Sequence, residues 1–189
     1  MPEAWFVLDN NPRTTAIIAP GDHLYQLHKT GNIFQYTGTP LTGWLELDNN
    51  PRTKAIVAAY EPPHVGASGQ GGGGFPDPPR PEKYHLYQLH ETGNIFQYTG
   101  TPLTGWLELD NNPATKAIAA FNASLCQLHS SGVIFVYTGT PLTGWQALGA
   151  NESAVALEMG VGQPDPNLPS GFYALKSDGT ILEWGDVLH

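Results

Sequence analysis

The sequence predicts an all-β fold, a four-bladed β-propeller built from four-stranded units repeating about every 39 residues. Three observations predict it. The stretch Leu24–Ala58, LYQLHKTGNIFQYTGTPLTGWLELDNNPRTKAIVA, returns at Leu86–Ala120 with changes only at Lys29/Glu91, Arg52/Ala114 and Val57/Ala119. A looser third copy begins at Leu125, 39 residues after Leu86. The chain ends also fit together: Trp5–Asp9 (WFVLD) matches the fourth strand of a unit (WLELD), while the last unit stops after its third. That phasing predicts a ring in which Trp5–Asp9 pairs with Thr180–Trp184 and closes the last blade, removing two exposed sheet edges.

Each unit reads as four short runs bounded by Gly, Pro, Asn and Thr, the pattern of strands. In the third unit these are Lys116–Ala120, Leu125–His129, Val133–Tyr137 and Trp145–Leu148. The first unit runs from Thr15 through Leu24, Ile33 and Trp44; the last offers Ala154–Glu158, Phe172–Lys176 and Thr180–Trp184. Gly31, Gly93, Gly132 and Gly179 stand at one equivalent point, where a tight hairpin needs a positive φ. The alanine-rich first strands are expected innermost, where blades crowd. Two insertions interrupt the single domain 1–189. Glu61–His85 stretches the spacing of the first two copies to 62 residues, and its Gly/Pro content reads as a flexible loop. Gly160–Gly171 falls at the same point of the fourth blade, so both insertions belong on one face.

Composition narrows the function. A net charge of −9 disfavours nucleic-acid phosphates and anionic membrane surfaces as partners. One cysteine, Cys126, stands where the sister copies have Tyr25 and Tyr87; it reads as a core residue, and no internal disulfide can form. The opening MPEAWFVLDNNPRT has no basic then apolar leader pattern, and no run approaches the ~20 apolar residues of a membrane span. The expectation is a cytoplasmic protein, or one released without a signal peptide.

The pattern W-x-x-L-D, T-x-A-I-x-A, LYQLH-x-x-G-x-I-F-x-Y resembles the tectonin and tachylectin group of β-propeller lectins. The resemblance covers nearly the whole chain outside the two insertions. It implies a propeller that binds glycans, with GlcNAc- or GalNAc-type ligands, and no cofactor.

Two faces carry candidate sites. On one, the turn before each first strand reads Asp9-Asn10-Asn11-Pro, Asp48-Asn49-Asn50-Pro and Asp110-Asn111-Asn112-Pro, and the hairpin beside it carries His28, His90 and His129. The fourth blade loses both features together, having Gly149–Ser153 and Lys176 instead. Asn amides and an imidazole supply the mixed donors and acceptors that sugar hydroxyls need. The same residues also make a plain turn, since Asx side chains bond their own backbone and Pro fixes φ. The opposite face repeats Tyr-Thr-Gly-Thr-Pro-Leu-Thr-Gly-Trp, giving Tyr36 and Trp44, Tyr98 and Trp106, Tyr137 and Trp145. These rings can stack on a pyranose, or they can be interblade core. The first face is the first choice for a sugar site and the second face the alternative. Near-identity at Gln26, His28 and Gln35 also points to function, because packing alone should tolerate drift there.

Catalytic and metal chemistry have little support. Asp48-Asn49-Asn50 lacks the frame of a calcium loop, the Gly71–Gly74 run lacks the Lys-Ser/Thr of a phosphate loop, and Glu46 and Glu108 recur on an outward strand face. The expected function is a non-catalytic, multivalent lectin with three equivalent sites and no metal. The alternative is a protein-interaction scaffold without sugar binding, with a homo-oligomer among its expected states.

Overall fold

The computed structural model describes residues 5–61, 82–121, 124–148, 153–159 and 172–184. The chain forms four antiparallel sheets, each built from strands in sequence order. Blade one holds β1 (Thr14–Ile18), β2 (Tyr25–His28), β3 (Ile33–Tyr36) and β4 (Trp44–Asp48). Blade two holds β5 (Thr53–Glu61), β6 (Lys83–His90), β7 (Ile95–Tyr98) and β8 (Trp106–Asp110). Blade three holds β9 (Thr115–Phe121), β10 (Ser124–His129), β11 (Ile134–Tyr137) and β12 (Trp145–Ala147). Blade four has three described strands: β13 (Ala154–Met159), β14 (Phe172–Lys176) and β15 (Ile181–Trp184). Among the described residues no helix is long and apolar enough to cross a membrane.

The first strands of successive blades lie against one another, β1 on β5, β5 on β9 and β9 on β13. This is the innermost position expected of the alanine-rich runs. Between blades lie three apolar cores, each made the same way. Tyr25, Leu27, Ile33 and Leu47 of blade one meet Ile56 and Leu86 of blade two. Tyr87, Leu89, Ile95 and Leu109 of blade two meet Ile118 and Leu125 of blade three. Cys126, Leu128 and Ile134 of blade three meet Leu157 and Ala174 of blade four. The second strands are buried on both faces, because alternate residues reach the blade ahead and the blade behind.

Polar residues on these strands are structural too. Thr53 Oγ1 donates to Gln88 Oε1 at 2.6 Å and Thr115 Oγ1 to Gln127 Oε1 at 2.6 Å, all four side chains buried. Thr14 and Gln26 repeat the bond at 2.8 Å. Fixed glutamine at this position is therefore a packing demand, contrary to the sequence-based expectation of drift. Thr53→Val leaves Gln88 Oε1 buried without its donor and is expected to cost about 1–3 kcal/mol. Chemical denaturation checks this, with the exposed Thr42→Val as a control that should shift the midpoint hardly at all.

One sequence expectation is corrected at its edges. Glu61 and Lys83–His85 belong to strands, not to a loop: Ala59, Tyr60 and Glu61 pair with His85, Tyr84 and Lys83. Tyr84 is fixed there by its rings' neighbours, His23 at 4.0 Å and Tyr60 at 5.2 Å. Residues 62–81 of that insertion and Gly160–Gly171 lie outside the described residues. Trp5–Asp9 carries no strand pairing to β15 among the described residues. It lies instead along blade one, where Leu8 O accepts the Leu41 amide at 2.8 Å. Leu47 O and Leu109 O accept from Leu103 and Leu142 in the same way, so the segment does hold the fourth-strand position relative to the blade that follows it.

Candidate functional site

The turn into each first strand and the hairpin between strands two and three do share one face. Backbone bonds join them: Lys29 N donates to Arg13 O, Glu91 N to Arg52 O and Ser130 N to Ala114 O, at 2.7 to 2.8 Å. The hairpins turn at Gly31, Gly93, Gly132 and Gly179, whose φ values run from +86° to +91°. At Gly31 and Gly93 the hairpin is also wedged against the turn that enters the following blade. A Cβ on Gly31 would lie 2.0 Å from Asn50 O, and one on Gly93 2.2 Å from Asn112 O.

Within the turns the three residues divide their labour. Asn11, Asn50 and Asn112 each spend Oδ1 on a backbone amide two residues ahead, at 2.9 to 3.0 Å, which is the Asx turn. Asn10, Asn49 and Asn111 are exposed and face solvent. Asp48 and Asp110 are buried, and Asp9 is half-buried with Oδ1 on the amide of Asn10 at 2.8 Å. The histidines are buried as well, each ring tilted on a phenylalanine: His28 on Phe34, His90 on Phe96, His129 on Phe135, with centroids 4.4 to 4.6 Å apart. So the first-choice residues come together in three blades, but only the first Asn of each turn is open to a ligand.

One feature of this cluster is left unsatisfied. Oδ2 of Asp9, Asp48 and Asp110 and Nε2 of His90 and His129 are buried without a hydrogen-bond partner. Asn11 Nδ2 stands 3.5 Å from His28 Nε2 in blade one. Buried polar atoms rarely stay unpaired, and a water or ligand atom normally serves them. Burial holds all three imidazoles below the usual His range, with the nearby Asp9, Asp48 and Asp110 carboxylates opposing it. The unfolded chain therefore binds protons that the folded chain refuses. Stability is complete above about pH 6.5 and is expected to fall as pH drops below it. Thermal melts from pH 7.5 to 5 check this, and the His90→Phe variant should flatten the dependence.

The opposite face is built by the β3–β4, β7–β8 and β11–β12 loops. Trp44, Trp106 and Trp145 are half-buried, each with its ring 5.1 Å from Tyr36, Tyr98 or Tyr137. Trp106 Nε1 donates to Leu47 O at 3.2 Å and Trp145 Nε1 to Leu109 O at 3.1 Å, both across to the preceding blade. Trp44 Nε1 reaches Leu8 O at 3.4 Å. These aromatics clamp one blade to the next and stay partly exposed. Sequence reasoning missed what the same loops present outward. Leu41, Leu103 and Leu142 sit at φ +66° to +67° and are about half exposed. A left-handed conformation costs a non-glycine residue about 1–2 kcal/mol. The Pro-Leu-Thr-Gly spelling gives no warning of it.

Glu46 and Glu108 are engaged by neighbours in their own sheets, accepting from Asn32 Nδ2 at 2.5 Å and Asn94 Nδ2 at 2.6 Å. Cys126 is a free, buried core thiol that burial pushes well above its ordinary pKa. Among the described residues no three His, Cys, Asp or Glu side chains gather in a way that could hold a metal ion.

No family model matches the chain, and no curated protein matches it in sequence. Solved structures do match in fold. Human WBSCR16 is 10% identical with a TM-score of 0.55, over 94% of this chain and 48% of that one. BamB from Moraxella catarrhalis is 13% identical with a TM-score of 0.48, over 92% of this chain and 44% of that one. The chain thus spans about half the length of the structures it matches. These neighbours are β-propeller proteins, and the all-β, repeat-built chain described above has the propeller fold.

Proposed function

We propose that the chain is a non-catalytic binding module that presents one apolar loop three times to a polypeptide partner. The observation that carries this reading is the row Leu41, Leu103 and Leu142. Each leucine is held in a strained conformation and leaves half its side chain in water. Folding gains little from that combination, since strain of about 1–2 kcal/mol offsets the half-buried side chain and glycine would adopt the same φ without it. Repetition on a rigid scaffold turns three weak apolar contacts into avidity. The test compares wild-type protein with Leu41→Gly/Leu103→Gly/Leu142→Gly as immobilised baits. The variant should melt no lower than wild type yet lose a bound protein that wild type retains. Equal retention by both would end this reading.

A glycan ligand is the second reading, favoured by the unpartnered Asp and His atoms beside the exposed Asn10, Asn49 and Asn111. GlcNAc or GalNAc would dock on those asparagines, with three equivalents per chain. Calorimetry with the free sugar and with Asn49→Ala and Asn111→Ala, each removing one equivalent, tests it. In either reading Trp5–Asp9 serves as the fourth, outer strand of a last blade, beside Thr180–Trp184.

A further inference from the structure

We propose that a second copy of this chain completes the ring, docking head to tail so that blade four of each copy packs on blade one of the other. The proposal rests on the outer-strand reading of Trp5–Asp9 and adds whose blade that strand completes. Each interblade core joins two unlike faces, and the chain makes that junction three times. At its two ends it leaves one of each face bare. Ile17 is 68% exposed, whereas Ile56, Ile118 and Leu157, which occupy the same register position, are each 6% exposed. Ile181 is 71% exposed, against 0% for Ile33 and Ile95 and 4% for Ile134. Leu175, in register with the fully buried Leu89 and Leu128, is likewise open.

The backbone repeats the message. Gly31 and Gly93 press on the turn of the blade that follows, but nothing lies within 4 Å of where a Cβ would stand on Gly179. Beside Ile17 runs a groove of about 390 Å³, lined by Phe6, Val7, Leu8, Ile17, Leu24 and Trp44. The Trp5–Val7 segment is exposed along it, although Leu8 is already anchored as the fourth strand of an absent preceding blade. The occupant that fits is therefore a blade-four face with a free β15 edge, which this same sequence supplies. Among the described residues both ends are bare, so blade four does not cover blade one within one chain. Two unlike faces on one chain give a heterologous contact, which closes when the rotation allows. Two half-rings close it as one ring of eight blades, each copy lending Trp5–Asp9 to the other's β15.

Light scattering at micromolar concentration should give twice the chain mass of 20.4 kDa. Ile17→Asp and Ile181→Asp should each be monomeric alone and should pair when mixed, because one intact junction then remains. A monomeric wild type, or variants that do not pair on mixing, would overturn the proposal. A crosslink decides the matter even if those variants misfold. Glu46 pairs with Phe34 and Glu108 with Phe96, so Val7 should lie opposite Leu182. Val7→Cys/Leu182→Cys should oxidise to a covalent pair of chains on a non-reducing gel, with wild type, whose Cys126 is buried, as control. A disulfide within one chain would keep the outer-strand reading and sink the second copy. No disulfide at all would sink both.

Discussion

Gly93→Ala is expected to leave little folded protein, while Gly100→Ala survives. Both glycines have positive φ, +91° and +101°, so both substitutions meet backbone strain of about 1–2 kcal/mol. Only Gly93 meets backbone as well. Its new Cβ would sit 2.2 Å from Asn112 O and 2.8 Å from the Pro113 Cα, in the turn that enters blade three. Neither atom is the end of a flexible side chain, so two blades must move apart. That motion opens the core between Leu89 and Ile118, where each deleted or exposed aliphatic group costs about 1 kcal/mol or more. Nothing stands within 4 Å of the Cβ position on Gly100. Denaturant midpoints for the two variants check the difference. Equal midpoints would mean that the hairpin and the turn do not bear on each other.

Trp106→Ala should cost about 3–5 kcal/mol, the usual range for deleting a large ring from a packed site. The ring packs with Tyr98 on the blade-one core, and its Nε1 bonds Leu47 O across the blade boundary. Trp106→Phe keeps most of the ring and loses the bond, so it should cost nearer 1 kcal/mol. Trp44→Ala is the informative comparison. Trp44 reaches only Leu8 O, at 3.4 Å, on a segment with no sheet behind it among the described residues. Its loss should be milder in the single chain. Should all three variants melt alike, the loops do not clamp one blade to the next.

The strands, their order and the hairpin glycines were legible because they are local. Period-two runs bounded by Gly, Pro and Asn specify a strand whatever it packs against, and a repeated hairpin repeats its glycine. The candidate faces were half legible. Asp48, Asn50 and His90 do meet on one face, but the sequence reads them as open to ligand, and burial makes Asp48 and His90 internal. Burial depends on the neighbouring blade, which no single repeat encodes.

The same reason separates the rest. By itself the sequence determined that this protein is all-β, that it repeats three times and a fraction, and that Trp5–Asp9 shares the spelling of a fourth strand. Those facts follow from spacing along one chain. Only the tertiary structure decided that Gln88 is held by Thr53, that Trp106 clamps one blade to the next, that Leu103 is strained outward, and that Ile17 and Ile181 are bare. Each of those depends on the curvature between blades, a property of packed faces in three dimensions. Identical repeats cannot reveal it, since Ile17 and Ile56 share one spelling and differ only in what lies next to them.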